Sequence, residues 1–427
     1  MSILKQKNIL LFLVSSCYIC LSLLVFICPI NIPIINFIPG MLFMWVIYVF
    51  FYLGVKSITV KNKPYGSVVF AVKKQTFLYI LTFCFVLFYP FYIHFYTGLS
   101  VTQSLYNVLH GGGNYHLYQN YFKESGLSKF TILKLPYIVF NGLLKFFYIC
   151  SVIKILVYSK KPSTKEKFCL TLMTLILLFV GISRGTSFEL FEIVVLLTYT
   201  FFVRRNYFLK KLLTVQDLVI LIFIALAGGL YFALNIAMRN NQSFVEMGNN
   251  IDVESLIYKI SPTIAVILYS LYGYFLFGIH LSSVILVNVW GRSLIYFFSI
   301  LIPHGLLLLG LKNVRVACKP FIDMGARWMP DMMLFLDSFG LFFFFGFVFY
   351  IGRISSKLSN KSSLNFFRNI VYYYCFYIMF SLPIGNFITT SSANLISLVL
   401  SILFFKTRRM DLITGRYFLI KTINITN

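Results

Sequence analysis

The chain has 427 residues, of which 59% are hydrophobic and only 11% are charged, and its formal net charge is +25 at pH 7. Soluble domains have roughly a quarter of their residues charged, so this composition excludes a water-soluble globular protein. The excess of Lys and Arg does not indicate a nucleic-acid partner, because these residues lie in short clusters between apolar runs, as they do in the loops of membrane proteins.

Apolar runs that could cross a lipid bilayer recur along the whole chain. A helix that crosses about 30 Å of hydrocarbon needs roughly 20 predominantly apolar residues. The runs therefore predict an all-α polytopic integral membrane protein, built as a single transmembrane domain of about twelve helices. In chain order they cover residues 8–28, 34–55, 75–97, 131–157, 167–183, 186–203, 215–237, 262–287, 293–311, 333–352, 369–388 and 391–405.

The basic clusters orient these predicted helices. They precede the first span and follow the second, fourth, sixth, tenth and twelfth spans, so a twelve-span arrangement puts all of them on one side. The positive-inside rule assigns that side to the cytoplasm, and we expect both termini there. Three longer loops then lie on the outer face, at about residues 98–130, 238–261 and 312–332.

Arg184 interrupts the apolar pattern between the fifth and sixth spans. Gly185 follows it, and Glu189 and Glu192 lie in the apolar start of the sixth span. A charge at the edge of the membrane is costly and needs a partner or a function. Two interpretations remain open. Arg184 either forms a buried pair with a glutamate that fixes helix packing, or binds an anionic group at the outer surface while the glutamates hold it.

Further cations lie in the predicted outer loops. Arg239 follows the seventh span, where it either snorkels to the interface or, with the Asn, Gln and Ser after it, binds a sugar. The loop 312–332 carries Arg315 and Arg327 among several cations, on the face that should be poor in them. Guanidinium groups bind phosphate oxygens in a bidentate manner, so phosphate recognition explains this loop. Trp328 beside it stacks on a sugar ring or anchors the chain at the interface.

The sequence contains neither a nucleotide-binding P-loop nor an HExxH metal motif. An ATP-driven pump is therefore disfavoured, and we expect no cofactor. His304 lies between Pro303 and Gly305 within the ninth span, a combination that bends a helix against protein or a water-filled cavity. A histidine that lines such a cavity is a candidate general base.

Taken together, these features resemble the bacterial oligosaccharide repeat-unit polymerases of the Wzy type, which extend O-antigen of lipopolysaccharide or capsular polysaccharide. The resemblance covers the whole length in topology and rests locally on three motifs: Ser183-Arg-Gly-Thr-Ser-Phe-Glu189, Pro303-His304, and Trp328-x-Pro-Asp331 followed by Phe339-Gly340. It implies a GT-C-like, metal-independent glycosyltransferase of the bacterial inner membrane. Arg184 matches the first essential arginine of these enzymes, and Arg239, Arg315 and Arg327 are candidates for the others.

The resemblance also implies the reaction and its partners. A growing glycan is transferred from undecaprenyl pyrophosphate to a sugar hydroxyl of an incoming lipid-linked repeat unit, in concert with a chain-length regulator and a flippase. This transfer needs cations that stabilise the developing pyrophosphate charge and a base that accepts the hydroxyl proton. The outer arginines supply the cations. His304, Glu192 and Asp331 are the candidate bases, and the sequence does not choose among them.

Three other functions remain open. An O-antigen ligase shares the fold and the donor and differs in its acceptor. A lipid-linked oligosaccharide flippase needs cations along a central cavity and short loops on both faces, and the loops 98–130 and 312–332 argue against it. A proton- or sodium-coupled transporter needs paired acids at mid-membrane depth, for which Glu192 and Asp337 are the candidates.

Overall fold

A computed structural model describes residues 9–58, 76–110, 114–126, 131–159, 162–205, 228, 230, 251–287, 330–359, 366–385, 388 and 391–407. Helices dominate these residues, and no strand occurs among them. The predicted all-α class is therefore confirmed. The predicted spans 215–237 and 293–311 lie outside the described residues.

Fifteen α-helices are described here. The first eight are α1 (Ile9–Ile27), α2 (Ile38–Lys56), α3 (Thr76–Thr97), α4 (Val101–Leu109), α5 (Asn114–Glu124), α6 (Lys134–Ile153), α7 (Thr164–Arg184) and α8 (Phe188–Arg204). The others are α9 (Leu256–Ile260), α10 (Pro262–Leu271), α11 (Phe277–Ile285), α12 (Asp331–Phe339), α13 (Leu341–Ser359), α14 (Phe366–Ser381) and α15 (Ser392–Thr407). A 3-10 turn, Ile34–Phe37, leads into α2, and π-helical turns follow α6 at Lys154–Tyr158 and α10 at Tyr272–Leu276.

Within the described residues, six helical segments are long and apolar enough to cross a membrane. They are Ile9–Ile27, Ile34–Lys56, Thr76–Thr97, Lys134–Tyr158, Thr164–Arg184 and Leu341–Ser359. Each coincides with a predicted span, although the last differs in its bounds. These segments support the membrane-protein class predicted from composition.

The tenth predicted span, 333–352, has wrong bounds. Gly340 has a φ of 76° and separates the short helix α12 from the longer helix α13. Residues with a side chain rarely adopt this backbone conformation, so the glycine is what allows the break. The apolar helix consequently begins at Leu341 and continues to Ser359.

The chain folds into two compact units, each assembled from segments that are distant in sequence. The first unit comprises Met1–Lys61, Phe244–Asn360 and Cys375–Ser391, and the second comprises Asn62–Ser243, Lys361–Tyr374 and Ser392–Asn427. In the first unit α2 packs closely against α13. A side-chain carbon at Gly54 of α2 would collide with the carbonyl oxygen of Phe349, and one at Gly352 of α13 would collide with that of Phe51. Glycine at both positions lets the two backbones approach.

In the second unit α3 packs against α7, and α6 packs against α15. The stretches Val101–Leu109 and Asn114–Glu124, predicted as part of a polar loop, instead form the short helices α4 and α5, which contact the last part of α7. Ser100 and Gln103 form a capping box that starts α4, and Ser163 and Glu166 form another that starts α7. These caps satisfy backbone N–H groups at the helix starts. The folded segment thus covers the end of α7 that carries Arg184.

Candidate functional site

The turn between α7 and α8 brings Arg184 beside Glu189. Gly185 ends α7 in the left-handed region, with a φ of 61°, and the backbone N–H of Thr186 donates to the carbonyl of Gly181 at 2.9 Å. Such a glycine-terminated helix end reverses the chain within a few residues. Arg184 is therefore the last residue of α7, and Glu189 lies in the first turn of α8.

Arg184 and Glu189 form an ion pair in which Nη2 of the guanidinium donates to Oε1 of the carboxylate. Their side chains are 18% and 11% exposed, so the pair is largely removed from solvent but remains accessible. The hydroxyl of Thr186 donates to Oε2 of Glu189 at 3.4 Å. Within the described residues, the buried Nε of Arg184 has no hydrogen-bond partner. A buried donor without a partner is unusual and leaves hydrogen-bonding capacity for a ligand.

Helix α5 lies over this ion pair. The Nδ2 group of Asn114 donates to the carbonyl of Ile182 in the last turn of α7 at 3.2 Å, and to the carbonyl of Ser104 in α4 at 3.1 Å. Gly185 packs against Tyr115, whose backbone N would be 2.8 Å from a side-chain carbon at position 185. The glycine after Arg184 is thus needed both for the turn and for the close approach of α5.

Four tyrosines interact electrostatically with Arg184: Tyr89, Tyr92 and Tyr96 on α3, and Tyr118 on α5. The ring centroids of Tyr92 and Tyr96 are 4.7 Å apart. Burial raises the pKa of Tyr118, and the positive charge of Arg184 opposes part of that rise. The phenol is therefore neutral near pH 7 and retains its proton for hydrogen bonding. Aromatic rings with hydroxyl groups beside a guanidinium suit a ligand that carries both sugar and phosphate.

Glu192, one turn beyond Glu189, belongs to a second polar cluster. The Nζ of Lys145 in α6 donates to both of its carboxylate oxygens at 2.5 Å, and the Nδ2 group of Asn394 in α15 donates to Oε1 at 2.7 Å. The Lys145 and Glu192 side chains are 13% and 11% exposed. Three helices are therefore joined at one carboxylate, which already accepts three hydrogen bonds.

Sequence reasoning missed Lys145 and Asn394. Lys145 could have been found, because it lies in the middle of the apolar segment Lys134–Tyr158, far from both ends, and such a charge requires a partner. Asn394 carries no comparable signal, since an asparagine near a helix start is common. Neither residue identifies Glu192 as the partner until the fold brings α6, α8 and α15 together.

Asp331, the remaining described candidate, belongs to the first unit, whereas Arg184 and Glu192 belong to the second. It is fully buried at the start of α12. Its Oδ2 accepts a hydrogen bond from the backbone N–H of Ile388 at 3.0 Å, and its own N–H donates to the carbonyl of Gly385 at 3.0 Å. Through these two hydrogen bonds, Asp331 connects the start of α12 to the chain that follows α14.

The other predicted site residues lie outside the described part of the chain. They are His304, Arg239, Arg315, Arg327 and Trp328. Their proposed roles stay predictions. Among the residues that the structure does describe, no group of three or more His, Cys, Asp and Glu side chains could hold a metal ion.

Comparison of the chain with protein-family models, with curated protein sequences and with solved structures finds no match.

Proposed function

We propose that the protein is an oligosaccharide repeat-unit polymerase of a bacterial inner membrane. It transfers a growing glycan from undecaprenyl pyrophosphate to a sugar hydroxyl of an incoming lipid-linked repeat unit. The single observation that best supports this function is Arg184, a guanidinium at the end of an apolar helix with a buried Nε donor that has no partner in the described residues. Such a group is suited to an anion that approaches from the membrane surface.

The chemistry of the transfer explains why a guanidinium is needed. The diphosphate leaving group gains negative charge as the glycosidic bond to it breaks, and fixed cations in a poorly hydrated site stabilise that charge. Arg stays protonated and offers several donors in a planar fork that matches phosphate oxygens. Tyr96 and Tyr118, which lie near Arg184, offer rings and hydroxyl groups to the adjoining sugar.

The proposal extends to the whole chain. About twelve helices in a GT-C-like arrangement, with both termini in the cytoplasm, would put Arg184 on the outer face. Arg239, Arg315 and Arg327 would add cations to the same diphosphate, and Trp328 would contact a sugar. No metal ion is required, because the arginines supply the positive charge. A chain-length regulator and a flippase are the proposed protein partners.

Substitution of Arg184 tests the proposal in a bacterium that lacks its own polymerase and depends on the supplied gene. We expect Arg184→Ala to lower polymer synthesis by about two to three orders of magnitude, the cost of removing one charge-stabilising donor. Lipid carriers should then hold single repeat units. Arg184→Lys should recover only part of the synthesis, because an ammonium lacks the fork geometry. Gel separation of the glycan distinguishes a ladder from a single unit.

Two control variants make this result interpretable. Arg353→Ala removes an exposed cation in α13 and should leave the polymer ladder unchanged. Arg184→Ala/Glu189→Gln removes both charges of the ion pair, so that no unpaired carboxylate destabilises the fold, and should still lack polymer. Long polymer in the double variant at normal protein level would refute the role of Arg184. Failure of the unsubstituted gene to restore the polymer ladder would refute the polymerase function.

A further inference from the structure

Glu189 differs from the other buried carboxylates of the described residues in how it is bound. Glu192 accepts three hydrogen bonds from Lys145 and Asn394. The carboxylate of Asp331 accepts a hydrogen bond from the backbone N–H of Ile388. Glu189 has Arg184 as its one ion-pair partner in the described residues, together with a long contact of 3.4 Å from the Thr186 hydroxyl. If Arg184 paired with another anion, this carboxylate would lose its ion-pair partner and keep, among donors in the described part of the chain, only its own backbone N–H and the Thr186 hydroxyl.

A diphosphate would compete with Glu189 for the guanidinium. Carboxylate and phosphate oxygens match the same fork of N–H donors, and a diphosphate brings more negative charge. The partly exposed side chains of both residues allow such an exchange at the end of α7. In the unliganded protein, the Glu189 carboxylate thus binds the Arg184 guanidinium in the place of a substrate phosphate.

We propose that Glu189 is the general base of the glycosyl transfer and that donor binding releases it from Arg184. This inference rests on the proposed function. In the transfer, the acceptor hydroxyl oxygen forms a bond to the anomeric carbon of the donor sugar, and its proton moves to the Glu189 carboxylate. The bond between the anomeric carbon and the phosphate oxygen breaks, and its electron pair leaves with undecaprenyl pyrophosphate, which Arg184 holds. The proton then passes from Glu189 to water.

Transfer of Arg184 from Glu189 to the bound diphosphate would also make the Glu189 carboxylate more basic only when a donor is present. A carboxylate in a largely buried site binds a proton more strongly when a neighbouring cation no longer offsets its charge. The carboxylate consequently becomes a stronger base once the diphosphate is in place, and the acceptor hydroxyl is deprotonated only beside a bound donor.

The test uses the full-length protein in detergent and separates binding from turnover. Inorganic pyrophosphate serves as the probe for the anion site, and lipid-linked repeat units extracted from the producing bacterium serve as substrate. We expect Glu189→Gln to lower kcat by about 100- to 10,000-fold, the usual contribution of a general base. The same change should tighten pyrophosphate binding several-fold, because the internal competitor for Arg184 is gone. Glu189→Asp should retain part of the turnover.

A matched control is Glu254→Gln, which removes the carboxylate of an exposed ion pair with Lys259 at 2.8 Å and should change neither quantity. Unchanged kcat in Glu189→Gln would overturn the proposal. A loss of both turnover and pyrophosphate affinity would also overturn it, since that result is expected of a residue that only maintains the fold.

If Arg184→Ala abolishes polymer while Glu189→Gln does not, the base assignment fails and the polymerase function stands. If the unsubstituted protein makes no polymer from these lipid-linked units, the polymerase function itself fails.

Discussion

Lys145 and Glu192 illustrate at the residue scale why charges inside an apolar bundle occur in pairs. Removing two charges from water costs several kcal/mol per ion, and their mutual attraction offsets this cost only when the geometry is good and the other hydrogen-bonding groups are satisfied. Here Asn394 satisfies one oxygen of Glu192, and the Lys145 ammonium lies 5.5 Å from the centroid of the Phe188 ring. The pair contributes to the mutual positions of α6, α8 and α15, whichever residue performs the chemistry.

Removing one charge of the Lys145–Glu192 pair should destabilise the protein more than removing both charges. We expect Lys145→Met or Glu192→Gln alone to lower the free energy of unfolding by about 3–5 kcal/mol, because each leaves an uncompensated buried charge. The double variant Lys145→Met/Glu192→Gln should recover most of that loss. Thermal unfolding of the purified protein in detergent measures the three variants. A double variant no more stable than the singles would contradict a paired role.

The equivalent variants of Lys259 and Glu254 provide the reference for that experiment. Their side chains are 59% and 81% exposed, and exposed ion pairs contribute little to stability because water screens them.

The double variant of Lys145 and Glu192 also tests which residue is the general base. If it still polymerises, Glu192 is excluded as the proton acceptor, which agrees with the assignment to Glu189.

The sequence predicted that Arg184 meets a glutamate or an anion, but it could not select between Glu189 and Glu192. That selection depends on the left-handed turn at Gly185 and on the rotation of α8 about its axis. The turn at Gly185 also packs against Tyr115 of α5, a tertiary contact that sequence periodicity does not encode. Asp331 stays a candidate base, and the structure adds a hydrogen bond from the backbone N–H of Ile388 to its carboxylate, which the sequence could not predict.

At the scale of helices, length and apolar composition were sufficient to locate most elements. The first three predicted spans end within a few residues of α1, α2 and α3, because a long apolar run has one stable state in lipid. Short elements were harder. Helices α4 and α5 lie in a segment of mixed polarity, and their start depends on local capping at Ser100 and on the docking of Asn114 onto Ile182.

The close packing of α2 against α13 predicts how alanine substitution of three glycines changes the stability of the protein. We expect Gly54→Ala and Gly352→Ala each to destabilise the protein by about 1–3 kcal/mol, since the added carbon overlaps a backbone carbonyl that cannot move away. Gly346→Ala, on the same helix α13, meets nothing within 4 Å and should be neutral or slightly stabilising. Thermal unfolding in detergent compares the three. Equal effects at all three positions would contradict the close contact.

At the scale of the whole molecule, each compact unit is built from segments that are far apart in the sequence. The second unit takes up α3 to α8 and is completed by α15, more than 180 residues after α8 in the sequence. Hydrophobic periodicity identifies each helix but does not say which helices are neighbours. The three-helix contact around Glu192 was therefore inaccessible to sequence reasoning, although each of its helices was predicted.

Sidedness is the property of the whole molecule on which the proposed function depends, and α7 allows a direct test of it. This helix has 21 residues, and at about 1.5 Å per residue it matches a hydrocarbon layer of about 30 Å, so its two ends should lie on opposite faces. Exposed positions near the two ends are His116 on α5, which covers the Arg184 end, and Lys165 at the start of α7. We expect a membrane-impermeant maleimide to label His116→Cys in intact cells, and to label Lys165→Cys only after permeabilisation. The unsubstituted protein measures the background from its native cysteines, several of which are buried. The reverse pattern would put Arg184 and Glu189 at the cytoplasmic face, where the outer-leaflet transfer of a glycan could not use them.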